Sequence, residues 1–278
     1  MKQYAFRILN VFAREGRLTG NPLCVFEDGA GLDDATMQAL ARQFNLSETT
    51  FILASAKATA RVRIFTPSYE MPFAGHPTLG TAHVVRDLRR AGDALTLEMK
   101  AGVIPVTAQG DRWTLQANPP KAREEKLAVP EVAEVLGLDP GDIASRPLRV
   151  SIGREQLLVQ VKSVDAVRRA SPRPDIFQRF ATDEGPGQAY VFADMGSAVE
   201  SRFFFTSGAA VLEDPATGSA CANLGGWFVA TRPGEDVERT VSQGEKVSRP
   251  STLYLSVKAG VIRVSGSVIE LARGTLAL

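Results

Sequence analysis

The chain has 278 residues, 44% hydrophobic and 23% charged, the balance of a soluble globular protein with enough apolar material for one large domain or two ordinary ones. With 32 Lys and Arg against 31 Asp and Glu the net charge is +1, and no long basic tract offers the clustered positive face that nucleic-acid binding needs. Two cysteines in unrelated contexts make no disulfide framework, no apolar run reaches the ~18 residues of a membrane span, and the N-terminal stretch lacks the core of a signal peptide, so a reducing, cytoplasmic setting without a membrane partner is expected.

Residues 3–12 read as a strand, Thr19-Gly20-Asn21-Pro22 as a turn, and residues 23–26 as a second strand. Asp33 or Asp34 can cap a helix whose apolar positions Met37, Leu40, Ala41 and Phe44 fall at i, i+3, i+4 and i+7, with Asn45 as its stop. Residues 46–53 enter a β-branched strand, with Glu48 at its start among Ser47, Thr49 and Thr50, and residues 61–65 pair with it. A helix then begins abruptly at Gly75-His76-Pro77, where proline's missing N–H costs nothing. Its body, residues 78–85, is small or apolar on nearly every face, the mark of a helix buried all round.

Three short strands, residues 94–99, 103–108 and 113–117, follow. Asn118-Pro119-Pro120 and the charged run Arg123-Glu124-Glu125-Lys126 read as a solvated linker. Residues 130–136 form a short helix with Val132, Val135 and Leu136 inward, stopped by Gly137. Residues 148–152 and 156–161 form a hairpin, residues 165–170 and 175–180 are helical, and residues 189–192 are a strand. Residues 251–257, 261–265 and 267–272 close the chain as three strands.

Between them, residues 202–228 repeat residues 63–85: Arg, an aromatic strand ending Phe-Thr, a loop, and a glycine-containing helix start. Thr66 matches Thr206 and Gly75 matches Gly218, with a three-residue insertion in the second loop. Two agreeing repeats indicate a duplicated unit, with the two halves meeting at the linker after residue 118. Several strands per half around one apolar helix give an α+β architecture of curled sheets rather than βαβ units, and no GxGxxG or Walker loop is present. A buried helix start carries N–H groups in want of an acceptor and the positive end of the helix dipole, so a small carboxylate is the natural ligand.

Glu48 is the first candidate for chemistry. At a strand edge it can simply accept hydrogen bonds from neighbouring hydroxyls; in a partly apolar cleft its pKa rises and suits proton transfer near neutrality. His76, at the helix mouth, is either a capping residue or a neutral hydrogen-bond partner for a ligand, while His83 reads as a core histidine. In Glu213-Asp214-Pro215-Ala216-Thr217-Gly218-Ser219, Thr217 is a good N-cap and Gly218-Ser219 lets a ligand approach bare N–H groups, unless Asp214 satisfies those donors itself. Ser219 lacks the setting of a nucleophile. The histidines and scattered carboxylates make no metal site, and Cys221 and Cys24 read as small buried residues, although a thiol in a first helical turn can be acidified.

The stretches NPLCVFED, NLSETTFI, RIFTP…PFAGHPTLGTA and EDPATGSA, in this order and spacing, resemble the PhzF family of phenazine-biosynthesis isomerase-like proteins, within the diaminopimelate epimerase superfamily. The likeness runs from the first strand to the terminal Arg273-Gly274-Thr275. It implies a diaminopimelate epimerase-like α+β fold of two pseudo-symmetric domains, each a curled sheet or barrel around a central helix, with the final strand, about residues 268–278, returning to the first half (residues 1–118) and residues 119–267 forming the second, working without a cofactor and as a homodimer. The reaction it implies is the isomerisation of trans-2,3-dihydro-3-hydroxyanthranilate by transfer of a proton from C3 to C1. On that resemblance Glu48 shuttles the proton, and Ser47, Gly75, His76, Asp214, Gly218 and Ser219 hold the substrate's carboxylate and amino groups. The two-cysteine racemases of the superfamily are a poorer match, because Ala216 stands where one thiol would be and no cysteine lies near residues 75–80. An epimerase or isomerase of another amino or hydroxy acid, or a non-catalytic carboxylate-binding protein, remain the alternatives.

Overall fold

A computed structural model of the chain describes residues 1–183 and 185–278, divided into two compact units. Unit 1 comprises Met1–Gln116 and Ser265–Leu278; unit 2 is Ala117–Val264. The α+β class expected from the sequence is the one found.

In unit 1 the strands are β1 (Gln3–Val11), β2 (Asn21–Phe26), β3 (Glu48–Leu53), β4 (Ala60–Phe65), the two-residue β5 (Glu70–Met71), β6 (Ala94–Met99), β7 (Gly102–Gln109) and β8 (Arg112–Gln116). The last strand of the chain, β17 (Val261–Ala277), completes them. Pairing runs β1–β2 antiparallel, β2–β3 parallel, β3–β4 antiparallel, β4–β6 parallel, then β6–β7 and β7–β8 antiparallel. β8 pairs with β17 and β17 with β1, which closes a ring of eight strands. Closure satisfies both sides of every strand and leaves no edge to pair elsewhere.

The helix α2 (Gly75–Arg89) runs through this ring, against β1, β2, β3, β4, β6 and β8. Its residues from Gly75 to Ala82, with Val84 and Val85, are buried, and polarity returns only in the last turn, where Arg86 and Arg89 face the negative end of the dipole. Gly80 is what lets the strands close on it: a Cβ there would meet Leu23 Cδ2 at 2.5 Å and Val11 Cγ2 at 2.8 Å. A second helix, α1 (Asp34–Phe44), covers the outer face. Asp33 accepts a hydrogen bond from the Thr36 N–H at 2.8 Å, and Asn45 ends the helix at φ 51°. With α2 on one side and α1 on the other, β3 is buried on both faces: Thr50 meets Thr81 of α2 at 2.8 Å, while Phe51 stacks on Phe26 at 4.9 Å beneath α1.

Unit 2 repeats this order. Its elements are β9 (Lys121–Glu124), α3 (Val129–Leu136), β10 (Leu148–Ser151), β11 (Glu155–Gln160), α4 (Val164–Arg169), β12 (Gln188–Asp194), β13 (Ala198–Ser207), β14 (Ala210–Asp214), α5 (Gly218–Thr231), β15 (Val237–Gln243) and β16 (Ser251–Lys258). The pairings β10–β11 antiparallel, β11–β12 parallel, β12–β13 antiparallel, β13–β15 parallel and β15–β16 antiparallel reproduce the unit 1 series strand for strand. α5 is the counterpart of α2 and packs against β9, β10, β11, β15 and β16. Glycine again admits the strands: a Cβ on Gly225 would lie 2.6 Å from Ile262 Cγ2. The outer face is covered by α3, α4 and a 3-10 turn over Phe177–Phe180.

The repeat is stamped on one further contact. Arg63 of β4 grips Glu70 of β5 through Nε and Nη2 at 2.8 and 2.7 Å and lies over the Phe65 ring at 5.0 Å. Arg202 of β13 grips Glu213 of β14 at 2.7 Å and lies over Phe204 at 4.7 Å. All four charged side chains are largely buried in their hairpins. This equivalence is one residue out of step with the Thr66–Thr206 match. Pairing ends at Phe65 and Glu70 in the first hairpin but continues beyond the equivalent Phe204 and Glu213 to Ser207 and Ala210 in the second, so four residues are inserted there instead of three.

Three sequence expectations are corrected. The run Arg123-Glu124-Glu125-Lys126 is no solvated linker: its first two residues end β9, antiparallel to β10, and Glu125 is buried. The Glu125 carboxylate is ion-paired to the equally buried Arg149 and accepts from the N–H groups of Lys126 and Leu127 at 2.6 and 3.1 Å. The segment 175–180 forms a single 3-10 turn, too short to repay nucleation of a regular helix. The last two expected strands are one, because β17 runs unbroken through Gly266, whose missing side chain accommodates Phe12.

Two outcomes follow for stability. Gly80→Val should lower the chemical-denaturation midpoint by the equivalent of about 1–3 kcal/mol, the usual cost of overpacking a filled interior. Glu125→Ala leaves the Arg149 charge buried and uncompensated and should cost about 3–5 kcal/mol in the same assay, part of which a further Arg149→Met change restores.

Candidate active site

The parallel pairing of β2 with β3 sets Leu23 opposite Glu48 and brings the start of β3 to the N-terminus of α2. Ser47, just ahead of the strand, donates to Asn21 Oδ1 at 3.2 Å, and Asn21 is itself fully buried at the start of β2. Glu48 Oε2 then lies 3.3 Å from His76 Nδ1, with the two side chains 14% and 6% exposed. A carboxyl and an imidazole are thus held together with little water, at the mouth of a buried helix.

Burial lowers the His76 pKa to about 3, against a smaller opposing contribution from the Pro22 carbonyl, so the ring is neutral at physiological pH. His76 Nε2 is buried without a hydrogen-bond partner among the described residues, and so is Thr49 Oγ1. The cap residue of α2 is Ala74, which has no side-chain acceptor to offer. The first intrahelical bond runs from the Thr78 N–H to the Ala74 carbonyl, so the N–H groups of Gly75 and His76 precede it.

In unit 2, Asp214 ends β14 and Gly218 and Ser219 open α5. Thr217 occupies the N-cap position as expected, but its hydroxyl does not cap the helix. It donates to Asp214 Oδ2 at 2.5 Å and accepts from Gln243 Nε2 at 3.0 Å. Gln243, fully buried at the end of β15, also donates to the Asp214 carbonyl at 2.8 Å and accepts from the Thr217 N–H at 3.3 Å. One glutamine therefore clamps both ends of the loop carrying Asp214 into the helix. Glu213, next to Asp214, is taken up by the Arg202 ion pair.

Ser47, Glu48, Gly75 and His76 are thus gathered in unit 1, and Asp214, Gly218 and Ser219 in unit 2. Asn21, Gln156 and Gln243, which hold these residues, were not singled out from the sequence. Asn21 lies in the NPLCVFED stretch and could have been marked there. Gln156 and Gln243 approach through strand pairing from far along the chain and leave no local trace.

Cys221 and Cys24 are fully buried, and burial pushes both thiols up. A thiol so protonated is no nucleophile, despite the position of Cys221 in the first turn of α5. His83 is half-buried and accepts from Trp113 Nε1 at 3.4 Å, the role of a core histidine. Among the described residues no group of three His, Cys, Asp and Glu side chains is placed to hold a metal ion, and no helix is long and apolar enough to cross a membrane.

The chain is similar to known proteins along almost its whole length. The model of the family described as phenazine biosynthesis-like protein matches residues 9–274. An uncharacterized isomerase of Pasteurella multocida is 37% identical over 98% of this chain and 94% of its own length. The trans-2,3-dihydro-3-hydroxyanthranilate isomerase of Pseudomonas aeruginosa is 33% identical over 98% of each chain. Among solved structures, a PhzF-family phenazine biosynthesis protein from Bacillus anthracis shares the fold, with a TM-score of 0.87 over 100% of both chains at 24% identity. With the family model matching almost end to end and two relatives above 30% identity along nearly their full lengths, this chain belongs to the phenazine biosynthesis-like, or PhzF, family.

Proposed function

We propose that this protein is a cofactor-independent isomerase that moves a proton on a small cyclic or amino carboxylic acid, of the trans-2,3-dihydro-3-hydroxyanthranilate isomerase type. The observation that carries this reading is the Glu48 carboxyl held 3.3 Å from a neutral His76 at the start of a buried helix. The full-length similarity to a trans-2,3-dihydro-3-hydroxyanthranilate isomerase supports the reaction class and names the first substrate to try.

In this reading Glu48 takes the proton and returns it elsewhere on the same face of the substrate. A single base suffices for a shift within one face, whereas racemisation needs a second base opposite. His76 stays neutral, so its ring orients the substrate and steadies the carboxyl without setting a competing charge beside it. The N–H groups of Gly75 and His76 and the Ser47 hydroxyl are the unit 1 groups, and Asp214, Gly218 and Ser219 the unit 2 groups, offered to a substrate's carboxylate and amino groups. Backbone donors aimed at charge that develops during proton removal make that proton more acidic. The protein works as a homodimer in this reading.

Solvent-deuterium incorporation into trans-2,3-dihydro-3-hydroxyanthranilate tests the proposal. Glu48→Gln should reduce incorporation by about 10²–10⁴-fold, the span of a positioned acid-base group, with little change in substrate binding. Exchange undiminished in that variant overturns the role of Glu48. Calorimetric binding with no exchange in the wild type favours a carboxylate-binding protein, and exchange only into a different acid favours another isomerase or epimerase.

The state of His76 has its own readout. Its pKa is about 3 when folded and ~6.5 when unfolded, so between these values the unfolded chain binds the extra proton and stability falls as the pH drops. Above pH ~6.5 the contribution is fully present. Between pH 6 and 5 the wild type should lose up to about 1.4 kcal/mol per pH unit more than His76→Asn, measured by denaturant unfolding. Equal slopes would mean that His76 is protonated in the fold.

A further inference from the structure

Ser219, which opens the first turn of α5, is held by a chain of amides whose polarity has only one solution. The Arg154 carbonyl can only accept, and the side-chain nitrogen of Asn223 donates to it at 3.2 Å. The other hydrogen of that nitrogen goes to Gln156 Oε1 at 2.8 Å. Gln156 must therefore present its nitrogen in the other direction, where its two hydrogens meet Gln188 Oε1 and Ser219 Oγ, each at 3.2 Å. Gln156 is 2% exposed and Asn223 fully buried, so water does not compete for these groups. The relay leaves Asn223 Oδ1 buried without a hydrogen-bond partner among the described residues. Ser219 remains partly exposed, and its oxygen accepts one hydrogen bond from Gln156, which leaves its proton to be given elsewhere.

We propose that Gln156 is a positioning residue: its buried amide, oriented through Asn223 by the Arg154 carbonyl, holds Ser219 as a hydrogen-bond donor, so that the start of α5 favours a charged acceptor, a carboxylate, over the weaker carbonyl acceptor of the corresponding amide. The inference rests on the reading of α5 as a ligand-holding helix and adds to it the device that sets what Ser219 can recognise. A hydroxyl without this donor could spend its proton on Gln156. One that accepts from Gln156 keeps its proton for the ligand, and a carboxylate takes it more strongly than a neutral carbonyl. An orphaned oxygen on Asn223 is the cost of that polarity, and an ordinary packing role would not require it.

Calorimetric titration with 2-aminobenzoate and 2-aminobenzamide tests this in the full-length wild type, Gln156→Glu, Ser219→Ala and the double variant. Glu at 156 offers only acceptors and turns the Ser219 proton inward. The expected result is a wild type that prefers the benzoate, a loss of at least tenfold in benzoate affinity for each single variant, and no further loss when they are combined. Gln156→Met, which removes the donor without a buried charge, should show the same dependence on Ser219 and serves where Gln156→Glu fails to fold. Wild-type affinity in Gln156→Glu, or a loss of the same size in the Ser219→Ala background, overturns the inference. If the wild type binds neither probe, the carboxylate reading of α5 falls, and the relay is judged by NMR of the Gln156 side-chain amide. A resonance displaced by Ser219→Ala supports the relay; one that does not move overturns it.

Discussion

Both units are organised around a helix packed along its length by strands, whose first N–H groups have no partner within the helix. In unit 1 the cap residue is an alanine, and in unit 2 the cap threonine turns its hydroxyl back to Asp214. Neither cap residue's side chain accepts from its helix, and both helices open with glycine as their first residue. The barrel that causes this demand also supplies what surrounds it. Parallel pairing carries Glu48 to the mouth of α2, and the end of β15 carries Gln243 to the loop before α5.

The two helix starts are furnished differently. In unit 1 the polar groups are a carboxyl and an imidazole with little exposure, and the imidazole is kept uncharged by burial. A charged ring beside Glu48 would hold that carboxyl as a permanent ion pair and oppose its taking up a proton. In unit 2 the groups are amides and hydroxyls in a fixed hydrogen-bond order, from the Arg154 carbonyl to Ser219 and from Gln243 to Asp214. In the proposed reading the unit 1 set moves a proton and the unit 2 set binds a ligand. A duplicated scaffold has thus been given two kinds of chemistry, while the Arg63–Glu70 and Arg202–Glu213 hairpin grips stayed alike because they brace the backbone before each helix.

The parts legible in the sequence were those with a local signature. Asp33 and Asn45 bracket α1, Gly137 stops α3, and the uninterrupted small and apolar run of α2 announced its burial. Glu48 and His76 stood out because a carboxylate and a histidine are anomalous in such surroundings, and the four ordered stretches carried the family. The misreadings share a cause. Glu125 looked solvated because charge runs usually are, and nothing nearby in the chain discloses Arg149 as its buried partner. Thr217 looked like a helix cap because the residue type is right, whereas its hydroxyl is taken by Asp214 and Gln243.

Residue order alone determined the α+β class, the duplicated buried helix, the family and the candidate proton-transfer group, since each is written in spacing or composition over a few adjacent residues. Tertiary structure decided what those residues can do. Which nitrogen of Gln156 faces Ser219, how far Glu48 lies from His76, and whether that ring carries a charge depend on strand pairing and burial, which join groups separated by tens of residues. Hydrogen-bond polarity and desolvation belong to an enclosed volume and not to a stretch of chain, so they exist only once the barrel has closed.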